Sequence, residues 1–178
     1  SIEYELNEET WAGVPAISRI DVPREEVELT SPTAVAPNVS GECRVLVFDL
    51  EEVRNGRPYL DIEGPPGTVV DVMCAPYLLE DSLISPIVVS SYIDRIVLSG
   101  KREQWEAFYM KPTRWMAVVF RHLPGEATLH EAGVIETKYP FVQQGEFHAA
   151  GAPELEALWE ASAKTVEVCT TDAYTDNY

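Results

Sequence analysis

Along most of the chain the apolar residues recur at spacings of one and two, and they come in short runs broken by Gly, Pro and polar pairs. Arg44–Leu50 (RVLVFDL) is β-branched and aromatic, and Tyr59–Glu63 alternates, with Leu60 and Ile62 on one face and Tyr59, Asp61 and Glu63 on the other. That is the period of a strand with one buried face. Between these two runs, Val53–Pro58 holds the turn pair Asn55-Gly56, and Gly64-Pro65-Pro66-Gly67 is a strong turn leading into a strand over Thr68–Cys74. Further strands are predicted over Tyr92–Leu98, closed by Ser99-Gly100, and over Gln104–Tyr109, Arg114–His122 and Ala127–Lys138, with Leu123-Pro124-Gly125 as the turn between the last two. Pro76–Ser91 is irregular. Before this block, Ser1–Gly13 is acidic with Trp11 as its one large anchor, and Ser31–Gly41 reads as a loop. Ile17–Leu29 contains Pro23 and suits an edge strand or an extended arm, since proline cannot donate to a central ladder. Closely spaced strands with Gly/Pro turns and no helix among them predict a mainly β fold: an antiparallel sandwich or barrel, not βαβ units.

The period then changes. From Pro153 to Thr170 the apolar positions are Leu155, Leu158, Trp159, Val166 and Cys169, which is the stripe of an amphipathic helix. Pro153 suits the first helical position, Glu154 and Glu156 lie where the macrodipole favours acids, and Ala152 is a poor cap. A single amphipathic helix after an all-β domain has nothing of its own kind to pack on. It either lies on the sandwich or opens a second, helical domain. With Ser1 in place of an initiating Met and the last residue only a few positions past the helix, the chain is expected to be a piece of a longer protein. The organisation expected is a lead-in segment over 1–16, a β-sandwich domain over 17–148, and a linker with the first helix of a helical domain over 149–178.

Charge narrows the function classes. The 178 residues hold 13 Lys+Arg against 30 Asp+Glu, a formal −17 at pH 7. Such a field repels phosphate backbones and anionic lipid, so neither nucleic acid nor membrane is expected as a partner. Apolar runs such as Val45–Phe48 and Met116–Phe120 fall far short of the ~20 residues of a membrane span. The given chain carries no signal peptide, which leaves cytoplasmic, periplasmic and secreted locations open. Cys43, Cys74 and Cys169 are odd in number and far apart, and are expected as buried or half-buried thiols. His122, His130 and His148 lack the spacing that puts two imidazoles on one metal, so neither metal nor cofactor is expected. There is no GxSxG for a serine nucleophile and no Lys-bearing glycine loop for phosphate. Adjacent acids such as Glu25-Glu26 and Glu51-Glu52 point to opposite faces if they sit on strands, and are expected as solvated charge.

The aromatic residues crowd one pair of neighbouring strands: Trp105, Phe108, Tyr109, Trp115 and Phe120. Exposed rings stack on the C–H faces of sugars, which makes Trp105, Tyr109 and Trp115 candidate members of a sugar platform; Trp105 and Trp115 equally suit core positions.

The order of phrases Val45–Val72 (VLVFDLEEVRNGRPYLDIEGPPGTVVDV), Tyr92–Phe120, Leu123–Phe147 and Pro153–Tyr178 resembles the bacterial α-L-rhamnosidases of glycoside hydrolase family 78. The similarity covers about three quarters of the chain. It departs from the family pattern at Phe48-Asp49-Leu50, at Cys74–Glu80 and at Trp115. The resemblance implies a jelly-roll or concanavalin-like antiparallel sandwich followed by one C-terminal helix that would open an (α/α)6 catalytic barrel. It also implies a parent enzyme that hydrolyses terminal α-L-rhamnosides with inversion, using an acid and a base roughly 6.5–9.5 Å apart. In that family a segment Asp-x-x-x-Arg-Glu opens the active site, and Asp176-Asn177-Tyr178 resembles its first three positions. Asp176 would then contact substrate, while both catalytic carboxylates would lie outside this chain, which has no catalytic residue of its own. The partners implied are a rhamnose-containing glycan and the missing catalytic domain, with the sandwich as an inactive accessory scaffold that exposes an apolar patch when isolated. The alternative is a non-catalytic carbohydrate-binding module built on the Trp/Tyr platform.

Overall fold

A computed structural model describes residues 2–4, 17–21, 32–38, 43–78, 82–84 and 93–174. The strands are β1 (Ile2–Tyr4), β2 (Ile17–Asp21), β3 (Thr33–Val35), β4 (Arg44–Glu63), β5 (Val69–Ala75), β6 (Ser82–Ile84), β7 (Ile93–Val97), β8 (Arg102–Glu106), β9 (Lys111–Arg121) and β10 (Ala127–Glu136), followed by helix α1 (Pro153–Val168). Among the described residues the fold is mainly antiparallel β with a single C-terminal helix, as the hydrophobic pattern predicts. A small sheet has the order β1-β2-β6. The large one runs β3-β10-β4-β9-β5-β7, with β8 also paired to β4.

β4 carries the chain from one layer of the sandwich to the other. Its first part pairs with β9 (Arg44↔Phe120 to Asp49↔Trp115), and the ladder resumes at Arg54↔Thr113 after an irregularity. Its second part pairs with β10 along one edge and with β8 along the other. The irregularity is a bulge, with Glu51 in the left-handed region (φ 68) and its backbone N–H donating to Asp49 Oδ1 at 2.8 Å. A bulge bends and twists the strand that carries it. The bend lets Phe48 from the first part meet Leu60 and Ile62 from the second across one core, with Val70, Val72, Met116, Val118, Phe120 and Leu129 filling the space between. A second cluster, formed by Val47, Met73, Ala75, Ala117 and Val119, covers the other face of β5 and β9. All seven residues of β5 are buried, so this strand is sandwiched on both faces.

Several local expectations are corrected. Asn55-Gly56 is not a turn: β4 runs straight through it. Asn55 is buried, and a Cβ on Gly56 would come within 2.2 Å of the Ile135 carbonyl oxygen. Glycine is there for a close approach of β10, and the Asn-Gly dipeptide imitates a hairpin signal. Ile17–Asp21 is the middle strand of the small sheet and not an edge; Pro23 lies past its end, outside the described residues. The Ser31–Gly41 stretch contains a short edge strand, β3, that pairs with β10. Ile2–Tyr4, inside the segment read as lead-in, pairs with β2. The Pro65–Thr68 turn is as expected: Thr68 N–H donates to the Pro65 carbonyl at 3.3 Å, and Gly67 supplies the φ of +82° that a type II turn needs at its third position.

Gly56→Ala is expected to destabilise the fold by about 1–3 kcal/mol, because the clash outweighs the ~0.5–1 kcal/mol an alanine ordinarily gains over glycine within a strand. The shift of the urea midpoint at constant slope measures it.

Candidate functional site

Strands β8 and β9, each paired to β4, and the segment between them position the aromatic candidates. Trp105 pairs across from Leu60 and packs half-buried on the main core. Ala107 is buried, with its N–H pinned to the Pro58 carbonyl at 2.8 Å. The chain then exposes three apolar side chains in a row, Phe108 (94% exposed), Tyr109 (72%) and Met110 (40%), before Lys111 turns back inside at 2%. Trp115, half-buried on β9, packs instead on the second cluster. The Arg114 guanidinium lies 5.6 Å from the Trp115 ring centroid and is held by Asp49 through two bonds of 2.9 and 3.0 Å. Trp105 and Trp115 therefore pack on different cores, and Tyr109 is exposed. On this segment the exposed aromatic pair is Phe108-Tyr109.

The solvated face of β8, β4 and β10 is a ladder of cross-strand polar pairs. Arg57 meets Glu106, Tyr59 O–H donates to Glu131 Oε1 at 2.6 Å, and Arg102 grips Asp61 at 2.8 and 2.9 Å with Gln104 adding a third donor at 3.3 Å. The Arg102 bonds hold the Asp61 carboxyl down at about 2, while burial and the hydrogen bond to Glu131 push the Tyr59 hydroxyl up to about 12. Carboxylates tied to cations in this way suit strand pairing.

Ionic groups also lie inside. Asp71, fully buried in the middle of β5, is clamped by Arg95 at 2.6 and 3.1 Å and lies 2.5 Å from Arg121. Lys111 pairs with Asp94. Near it, burial pushes the Cys74 thiol up to about 12, which makes it a poor nucleophile at neutral pH. Cys43 and Cys169 are half-buried. His130 lies 3.6 Å from Glu63, His148 is exposed between Glu146 and Glu156, and His122 is exposed at the β9–β10 turn. Among the described residues no group of three or more His, Cys, Asp and Glu side chains is placed to hold a metal ion, and no helix is long and apolar enough to cross a membrane. Asp176 and the Glu25-Glu26 pair lie outside the described residues.

The helix meets the sandwich with its polar side. At about 100° per residue, Leu155, Leu158, Trp159 and Val166 share one face and Lys164 lies opposite. Lys164 reaches Glu52 of β4 at 3.3 Å, Asn55 Nδ2 donates to the Val168 carbonyl at 3.3 Å, and Tyr139 N–H donates to the Thr170 carbonyl at 2.9 Å. Leu155, Leu158 and Val166 are consequently exposed, as are Phe141, Val142 and Phe147 in the connector. Trp159 is the stripe residue with a partner, stacking on Phe147 at 6.5 Å. Ala152 makes no side-chain cap, and Glu156 accepts from Ala149 N–H at 2.9 Å in its stead.

No protein-family model matches the chain, and no curated protein matches it. Among solved structures it is similar to a GH78 family rhamnosidase of Bacillus sp. GL1, with a TM-score of 0.70 and 24% sequence identity over 92% of this chain. The chain spans 17% of that protein's length. At this identity the likeness establishes a shared fold.

Asp61 yields a pH prediction. Its folded pKa lies below the unfolded value of about 3.9, so the stability it contributes is present above pH ~4 and is lost as pH falls from there towards about 2. Asp61→Asn is expected to flatten the fall of the urea midpoint across that window and to leave its pH dependence above pH ~5 unchanged.

Proposed function

We infer that this chain is the accessory sandwich and first barrel helix of an α-L-rhamnosidase-like glycoside hydrolase. The observation that carries this is the orientation of α1. An amphipathic helix buries its apolar stripe against the domain it belongs to. Here the sandwich takes the polar side, and Leu155, Leu158 and Val166 face away from it. The shared fold with a GH78 rhamnosidase, 17% of whose length the chain spans, supports the same reading, as does the ordered set of phrases ending at Asp176-Asn177-Tyr178. On this reading the parent enzyme removes terminal α-L-rhamnose with inversion, one carboxylic acid protonating the leaving oxygen and a second carboxylate activating water. Both belong to the helical domain. Asp176 contributes a contact to the sugar, and the sandwich is the scaffold against which the barrel sits.

The exposed Phe108-Tyr109 pair favours the rival reading, a sugar-binding module, because it offers ring faces to solvent without any further domain. One set of measurements separates the two. The 178-residue chain is expected to release no aryl alcohol from an aryl α-L-rhamnoside and to give no heat with rhamnose-containing oligosaccharides in titration calorimetry. The polypeptide extended past Tyr178 is expected to hydrolyse the rhamnoside, with the first-formed sugar showing inverted anomeric configuration by NMR. Saturable glycan binding by the short chain, abolished by Tyr109→Ala, would establish the module instead. An extended polypeptide without rhamnosidase activity would remove the enzymatic reading.

A further inference from the structure

Six charged side chains from three parts of the chain close into a ring at the joint between helix and sandwich. Glu52 of β4 lies 3.3 Å from Arg54, and Arg54 lies 3.9 Å from Glu136 at the end of β10. Glu136 is 3.6 Å from Lys138 in the connector, and Lys138 is 2.7 Å from Glu167 of α1. Glu167 is 3.7 Å from Lys164, and Lys164 returns to Glu52 at 3.3 Å. Signs alternate all the way round, so every cation sits between two carboxylates and every carboxylate between two cations. Both ends of the Lys138–Glu167 contact show its effect: the hydrogen bond raises the lysine and lowers the glutamate from their ordinary values.

The ring occupies a place where little else holds the helix. No residue of α1 is fully buried, and among the described residues none of its apolar stripe belongs to either core cluster. At the C-terminal end the neutral anchors include the hydrogen bonds from Asn55 to Val168 and from Tyr139 to Thr170. The N-terminal half rests on the connector through Phe147 and Ala149. We propose that this six-membered ion ring is the clamp that holds α1 in its orientation on the sandwich, so that the joint between the two is a salt-sensitive element of the fold. An isolated exposed pair contributes little, because fixing two long side chains offsets the Coulomb gain; in a closed ring each side chain, once ordered, serves two contacts. The side chains are all partly exposed, so mobile ions reach the ring and weaken it.

The test is hydrogen–deuterium exchange of the α1 amides in the 178-residue chain, read by mass spectrometry as salt rises from about 0.01 M, where the Debye length is about 30 Å, to about 1 M, where it is about 3 Å. Exchange over α1 is expected to speed up about three- to tenfold, while the buried β5 and β9 amides keep their rates. Glu52→Gln lies on the strand and leaves the helix sequence intact. At low salt it is expected to bring α1 to its high-salt rate and to flatten the salt response. Lys164→Met should do the same, and the double variant should add little to either single one, because each opens the same ring. Glu106→Gln, which removes the Arg57 pair on the β8 side, is the control and should leave α1 unchanged. Salt-independent α1 exchange, additive effects of the two substitutions, or an equal response to Glu106→Gln would overturn the proposal.

Discussion

Everything in this molecule hangs on the passage of β4 between layers. Twenty residues long, it is the strand to which β8, β9 and β10 all attach, and its bulge at Asp49–Arg54 is what turns one continuous ladder into two facing layers around a shared core. The bend costs a left-handed Glu51, and the Asp49 carboxylate stabilises it twice over, by accepting the Glu51 N–H and by holding Arg114 on the neighbouring strand. Glu52 within the bulge, Arg54 where the ladder resumes, and Asn55 beside it are the residues that receive α1. Layer crossing and helix attachment are thus performed by the same short segment.

Beside the apolar core, the sandwich places ionic pairs in unusually deep positions. Asp71 between Arg95 and Arg121 and Lys111 against Asp94 are groups that cannot be left alone: removing one partner from a buried pair leaves an uncompensated charge and destabilises by about 3–5 kcal/mol. These pairs fix which residue of β7 and β9 stands beside which residue of β5. Apolar neighbours such as Val70, Val72 and Val118 interchange too easily to specify that by themselves. The solvated face adds a softer version of the same device through Asp61 and Arg102.

Much of this was legible in the residues. Alternation at Tyr59–Glu63, the Pro-Pro-Gly turn and the change of period at Pro153 gave strands, turn and helix within a few positions of where they lie. The failures have physical causes. Asn55-Gly56 has the composition of a hairpin, but its glycine answers a packing demand from Ile135, which only tertiary contact creates. The Asp71 clamp did leave a trace, since one acid in TVVDVMCA and one arginine in each of YIDRIVL and VVFRHL are charges stranded in apolar runs, and such charges ask for partners. Single runs do not say who the partner is. Lys111, between Met110 and Pro112, carries no such mark. Nor does the ion ring, whose members are spread from Glu52 to Glu167 and meet only after the sheet and helix have formed. The aromatic crowd was visible, but the assignment of Trp105 and Trp115 to different cores depends on β8 pairing with the second part of β4, at Leu60, and on Trp115 of β9 pairing with the first part, at Asp49.

The deployment of the cations has an effect on how copies of this protein meet. Of four lysines, Lys111 is internal and Lys138 and Lys164 belong to the ring, which leaves Lys101. Among the described arginines, Arg57, Arg95, Arg102, Arg114 and Arg121 each face a carboxylate as well. Among the described residues much of the positive charge is therefore paired locally, while the chain as a whole carries acids in large excess, a formal −17. Two copies approaching in solution meet like with like at almost any mutual angle. The counter-ions each must gather oppose osmotically the contact that the exposed apolar stripe on α1 favours.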